Sequence, residues 1–220
     1  AGIPFIGHLD EVAIYRQALS PKRMATRFKS IRREFTLDFE KVPADRVAIT
    51  IHEKVGYDWN YAATEAQSTF YQTAFGIPFI PNKYNSKALI VNRSDSVLLR
   101  AASKVDMPKG KHRILLRART LSRLYLDGEV IAQIKVSSGS TSAHGKVSAV
   151  PKDHGGLTRF LRPGMQETVA DIVTSGKQHQ FLLETFVGGK GKRPETGELT
   201  VSISINGAPF KLLSPKRNIA

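Results

Sequence analysis

The run Arg123-Leu124-Tyr125-Leu126-Asp127-Gly128-Glu129-Val130-Ile131-Ala132-Gln133-Ile134-Lys135-Val136 decides the fold. Two strand-length segments flank Asp127-Gly128, a pair that tolerates the positive φ of a tight hairpin. In the second segment Val130, Ala132, Ile134 and Val136 alternate with Glu129, Ile131, Gln133 and Lys135, the period of a half-buried strand. The same pattern returns near the end of the chain. There Leu199, Val201, Ile203 and Ile205 alternate with Glu198, Thr200, Ser202 and Ser204. Asn206-Gly207 then turns the chain back through Phe210–Leu213.

Working outward, Ser96–Val105 and Lys111–Ala118 are strand-length runs joined by the turn-rich Asp106-Met107-Pro108-Lys109-Gly110. Val47–Ile51 and Gln180–Val187 are also β-rich. Ala62–Phe75 is ambiguous, since its alanines suit a helix and its Thr and aromatic content suits a strand. Ser137–Gly176 reads as one long irregular stretch rich in Ser, Gly and Pro. Gly188–Gly197 reads as a basic, glycine-rich hairpin loop.

The N-terminal part differs. Ile3–Tyr15 is strand-like, and Ser20-Pro21 opens a helix in which Ser20 caps and Pro21 takes the first position. Met24, Phe28 and Ile31 form its apolar stripe, with Lys22, Arg23, Arg27, Lys29, Arg32 and Arg33 on its other faces. Such a basic helix serves either as a solvated lid on a sheet or as an anion contact. Thr36–Asp45 reads as a connector. The start lacks a basic region and an apolar core, so it is not a secretion signal, and the chain reads as a piece of something longer. The expected architecture is mainly β: an antiparallel, jelly-roll-like β-sandwich with a short N-terminal helix. The expected division is residues 1–37 and 38–220.

The composition narrows the chemistry. Thirty-three Lys+Arg against 19 Asp+Glu leave a net charge of +14 in 220 residues. A surplus of that size concentrates anions near the surface and speeds encounter with acidic partners. Zero cysteines exclude a disulfide scaffold, a thiolate zinc site, an iron–sulfur cluster and a cysteine nucleophile. No apolar run approaches the roughly 18 residues of a membrane span.

No catalytic motif stands out. Gly188-Gly189-Lys190-Gly191-Lys192 lacks the Lys-Ser/Thr and following helix of a phosphate loop, because Arg193-Pro194 and a strand come next. None of His8, His52, His112, His144, His154 and His179 falls in a metal-ligand spacing. Ser140, Ser142 and His144 lie close together without a nucleophile elbow. One tryptophan, Trp59, is little stacking surface for a sugar-cleaving groove. The main residue-level signal is a basic β face. If Ile114, Leu116 and Ala118 point inward, Lys111, Arg113, Arg117 and Arg119 point outward. Arg123 and Tyr125 lie opposite to Leu124 and Leu126, and Arg100 and Lys104 share a face of the preceding strand. Guanidinium forks take sulfate, carboxylate and phosphate in bidentate fashion. Nucleic acid is not expected, because it calls for interleaved aromatics and only Tyr125 qualifies. The plain alternative is a solvent-washed or interdomain face.

Two stretches carry family resemblances. Phe5-Ile6-Gly7-His8-Leu9-Asp10-Glu11-Val12-Ala13-Ile14-Tyr15 with Ala18-Leu19-Ser20 resembles the closing strand and trailing helix of a laminin-G-like (concanavalin-type) lectin domain. Val105 to Val130, with Pro108-Lys109-Gly110 and Arg123-Leu124-Tyr125-Leu126-Asp127-Gly128, resembles the core hairpins of the protective-antigen-like carbohydrate-binding module. With Leu161-Arg162-Pro163-Gly164 and the run from Val187 to Leu199, the chain resembles a piece of large secreted planctomycete proteins that set lectin-like modules beside cytochrome-c-type domains. Carbohydrate-binding members of the module family hold calcium with an adjacent Asp-Asp pair. This sequence has none, and Asp58 and Asp95 stand alone, so no metal and no cofactor is expected.

The resemblance and the basic face imply a non-catalytic, secreted, periplasmic or cell-surface module that binds acidic (sulfated or uronic) polysaccharide. Arg113, Arg117, Arg123 and Tyr125 would make the contact, helped by Lys190, Lys192 and Arg193. The first alternative is a structural spacer that packs on neighbouring domains of a larger redox or degradative protein. The second is a hydrolase.

Overall fold

The computed structural model describes residues 18, 20–21, 38–59, 61, 65–93, 96–135, 165–188 and 199–216. The chain divides into two units, Ala1–Thr36 and Leu37–Ala220, and all the strands described belong to the second. Of the expected N-terminal strand and helix, only Ser20 and Pro21 of the helix fall within the described residues.

Among the described residues thirteen strands run in order: β1 Val47–Glu53, β2 Ser68–Gln72, β3 Gly76–Ile77, β4 Lys83–Tyr84, β5 Ile90–Val91, β6 Ser96–Asp106, β7 Lys109–Ala118, β8 Ser122–Leu126, β9 Glu129–Ile134, β10 Gln166–Ser175, β11 Gln178–Gly188, β12 Leu199–Ile205 and β13 Lys211–Leu212. The first sheet has the order β2-β1-β6-β11-β8-β9. The second runs β10-β7-β12-β13, with β3 also on β12, and β4 and β5 form a separate hairpin. Every pairing is antiparallel.

Alternation explains why the two sheets stack. Val97, Leu99, Ala101 and Val105 of β6, with Phe181, Leu183 and Val187 of β11, turn one way. Ile114, Leu116 and Ala118 of β7, with Leu199, Val201 and Ile203 of β12, meet them in one continuous core. The Val, Leu, Ile and Phe side chains among them each contribute about 1.5–3 kcal/mol on full burial. The expected β-sandwich and the inward set Ile114, Leu116 and Ala118 are therefore observed.

Hairpin chemistry follows the sequence. Asp127 (φ 49°) and Gly128 (φ 86°) take the left-handed region, as do Asn206 (φ 51°) and Gly207 (φ 79°). Asp127 does more than turn. Its Oδ1 accepts from the Gln180 backbone N–H at 2.8 Å and its Oδ2 lies 2.6 Å from His179 Nδ1, pinning the hairpin to β11.

Two readings need correction, and one open alternative is resolved. The long irregular stretch 137–176 contains β10 in its last quarter, paired along its length with β7. Thr168, Ala170, Ile172 and Thr174 alternate there with Glu167, Val169, Asp171 and Val173, and weakly apolar residues on both faces hid the period. The ambiguous 62–75 segment becomes strand at Ser68–Gln72. In β9 a bulge shifts the register between Leu124 and Tyr125, so Ala132 opposes Leu124 while Val130 opposes Tyr125. Ala132 and Ile134 stay buried, but Val130 is carried to the exposed side.

Candidate functional site

The outer face of the first sheet carries a polar row set by register: Thr69–Thr50–Arg100–Glu184–Arg123–Gln133. At its centre Glu184 is 5% exposed. Its Oε1 accepts from Tyr61 Oη at 2.7 Å and Arg100 Nε at 3.2 Å, and its Oε2 accepts from Tyr125 Oη at 3.1 Å. Burial, then the Glu184 charge, pushes the Tyr125 hydroxyl up to about 12 and raises Tyr61 further.

Beside the row sits a second apolar cluster of Val55, Leu98 and Phe186, with Tyr57, Trp59, Tyr61 and Leu121 packed on it. The Phe186 ring is 5.2–5.8 Å from the rings of Tyr57, Trp59 and Tyr61. The Arg123 guanidinium lies 4.2 Å from the Trp59 ring centroid, and its Nε donates to Gln133 Oε1 at 3.1 Å. The face thus clamps the segment after β1 onto the sheet, and its charges are spent internally.

The second sheet holds the other expected residues. Arg113 is exposed, with its Nε 3.5 Å from Asp171 Oδ1. Arg117 is 8% exposed and pairs with Glu167 across β7 and β10. The structure therefore brings Arg123 and Tyr125 together on the first sheet and Arg113 and Arg117 together on the second. It does not bring the two pairs together, because β7 and β8 belong to different sheets. Arg100 and Lys104 lie with the first pair, on β6. Lys190, Lys192 and Arg193 lie outside the described residues.

A groove of about 390 Å³ opens where β2, β3 and β13 approach, lined by Arg46, Tyr71, Gln72, Thr73, Ala74, Gly76 and Leu212. Tyr71 is 51% exposed. Among the described residues the Arg46 guanidinium has one ion contact, its Nε 3.7 Å from Asp45 Oδ2. Asp45 is itself held by Lys216 Nζ at 3.0 Å, which keeps its carboxyl below the usual range. The groove offers an aromatic face, a guanidinium fork and an amide. Sequence reading missed it because Arg46 and Leu212 lie far apart in the chain. The one local signal is Tyr71 alternating with the inward Phe70.

Among the described residues no group of three or more His, Asp or Glu could hold a metal ion. No described helix is long and apolar enough to cross a membrane. Neither a family model nor a curated protein matches the chain. Among solved structures, an anti-sigma factor domain-containing protein is similar with a TM-score of 0.50 and 10% identity, over 78% of this chain and 46% of that one. The chain thus spans about half of that protein's length. A PA14 sugar-binding domain from an RTX adhesin gives a TM-score of 0.49 at 8% identity, covering 78% of this chain and 96% of its own. The PA14 domain of the MpAFP antifreeze protein gives 0.49 at 10%, covering 80% and 92%. The likeness to the anti-sigma factor domain-containing protein, at 10% identity, is one of fold alone.

Proposed function

We propose that the Leu37–Ala220 unit is a non-catalytic glycan-binding module, working outside the cell or at its surface, whose ligand is an acidic polysaccharide. The supporting observation is the groove in which the exposed Tyr71 ring stands beside Arg46 and Gln72. A pyranose presents a C–H face to an aromatic ring, and a uronate or sulfate group matches a guanidinium fork. The lining includes no carboxylate, whereas most glycoside hydrolysis uses a pair of them; this favours binding over cleavage. The resemblance of Val105–Val130 to a carbohydrate-binding module points the same way.

The test is titration of the chain with heparin and with polyuronate at low salt. Arg46→Ala and Tyr71→Ala each weaken binding about tenfold, as expected when a charge-assisted contact or a stacking face is removed. Arg113→Ala and Arg123→Ala change it little. The opposite ranking moves the site to the sheet faces named from the sequence, and an unliganded wild-type chain refutes the reading. Acidic-glycan binding must also fall as salt rises.

A second reading, a spacer between domains, draws on a specific observation. Arg100 and Arg117 point out of their sheets, yet each is buried against a carboxylate of its own chain. The spacer reading predicts capture of adjoining domains of a longer parent and no glycan binding.

A further inference from the structure

Half of the eight exposed large apolar side chains among the described residues lie between positions 79 and 90: Phe79, Tyr84, Leu89 and Ile90, each 58–63% exposed. Scattered single residues of this kind need no explanation, but a cluster on one small lobe does. Three of the four, Tyr84, Leu89 and Ile90, belong to the β4–β5 hairpin, and Phe79 precedes it by four residues. Its register opposes Tyr84 to Ile90 and Lys83 to Val91, and directly opposed residues share a face. Tyr84 and Ile90 therefore stand side by side on the outward face. Lys83 points the other way, where its Nζ meets Glu53 Oε2 at 2.8 Å.

The lobe is built to hold this display. Glu53 is 6% exposed and also binds Arg93 Nη1 through Oε1 at 3.1 Å. Arg93 Nε and Nη2 donate to the Pro81 carbonyl at 3.1 and 3.0 Å. At the tip, Asn85 Oδ1 accepts from the backbone N–H groups of Lys87 and Leu89 at 2.9 and 3.1 Å. A fixed apolar tip enters a partner phase without first losing the entropy of a loose loop.

Charge selects the partner. Residues 66–93 include Lys83, Lys87 and Arg93 and no Asp or Glu. Glu53, the carboxylate beneath the hairpin, is matched by two cations. Lys87 at the tip is exposed, and the chain as a whole is at +14. We propose that the β4–β5 hairpin docks on an anionic lipid surface. Tyr84, Leu89 and Ile90 enter the boundary between headgroups and acyl chains, and Lys87 stays among the phosphates. Tyrosine suits that depth because its ring is apolar and its hydroxyl polar, and a lysine stem reaches out from the same depth.

The experiment is co-sedimentation of the full chain with phosphatidylcholine vesicles, with and without phosphatidylglycerol. The expected result is binding to the anionic vesicles only. The double variant Tyr84→Ser/Ile90→Ser should weaken it at least about tenfold, as lost apolar insertion requires. Lys87→Glu should weaken it several-fold and lower its salt dependence. All three substituted side chains are exposed, and an unchanged Trp59 emission and urea midpoint show that the variants fold. Three results overturn the proposal. The wild-type chain binds neither vesicle; the double variant binds as well as wild type, which makes the effect mere adsorption of a cationic protein; or the patch instead drives self-association that the double variant abolishes.

Discussion

Removing Glu184 should cost more than any other single change on the outer face of the first sheet. In Glu184→Leu, Arg100 keeps a guanidinium at 8% exposure with no carboxylate beside it. The hydroxyls of Tyr61 and Tyr125 lose their acceptor as well. Breaking a buried pair from one side costs about 3–5 kcal/mol, most of it the uncompensated charge. The double variant Arg100→Met/Glu184→Leu removes both charges and fills similar volume. It should recover part of that loss, leaving about 1–3 kcal/mol for the two hydroxyl protons that lack an acceptor. The double is therefore expected to be more stable than the Glu184 single.

Urea unfolding measures both. The chain has one tryptophan, and Trp59 packs on Phe186, whose neighbour on the same strand face is Glu184. Its fluorescence therefore reports release of the clamped segment directly. A second probe, far-ultraviolet circular dichroism, reports the sheets. In Glu184→Leu the tryptophan signal should move at lower urea than the circular dichroism. A Glu184→Leu loss below about 1 kcal/mol, or a double variant less stable than the single, would refute the reasoning that a stranded cation dominates.

Acid should weaken the attachment of the β4–β5 hairpin. Burial raises Glu53, but Lys83 and Arg93 lower it by more, so its folded value lies below the 4.5 of a free glutamate. Its contribution is then present above about pH 4.5 and is lost as pH falls through the folded value, which an acid titration of the urea midpoint reads. Alkali acts through Tyr125, raised from 10.0 to about 12. Its contribution is whole below pH 10 and drains away between about pH 10 and 12, with the tyrosinate absorbance appearing late in the rise. Gly176→Ala should cost about 1–3 kcal/mol in chemical denaturation, because Gly176 has φ +80° and a Cβ there would meet the Lys109 backbone nitrogen at 3.3 Å. Asp127→Ala should cost about 1–2 kcal/mol in the same assay, since the backbone N–H of Gln180 loses its carboxylate acceptor.

Strands with a clean two-residue period were legible: the sequence places β6, β7, β8, β11 and β12 to within about two residues of their ends. Their turns were legible too, because Asp127-Gly128 and Asn206-Gly207 are chemistry written locally. β10 was not, since Thr and Ala on one side of it and Val on the other blur the contrast between its faces. Neither was sheet membership. Arg117 and Arg123 are six positions apart, but the short Arg119–Leu121 link carries the chain from the second sheet to the first. Alternation gives which way a side chain points from its strand and says nothing of which sheet that strand joins. The same gap hides the groove, whose walls come from Arg46 and Leu212. The hairpin patch lay partly in view: Phe79, Leu89 and Ile90 are apolar in the sequence, but only register shows that Tyr84 and Ile90 turn away from the body.

The position of β11 bears on how the chain is made. It lies between β6 and β8 in the first sheet, although β7, β8, β9 and β10 all precede it in the chain. Until residue 188 has emerged during synthesis, the β1–β6 half and the β8–β9 hairpin share no neighbour, and each presents a bare hydrogen-bonding edge. Translation therefore delivers this strand after both of the parts it joins, and the nascent polypeptide must wait, exposed to aggregation or guarded by chaperones, until Gln178–Gly188 has emerged.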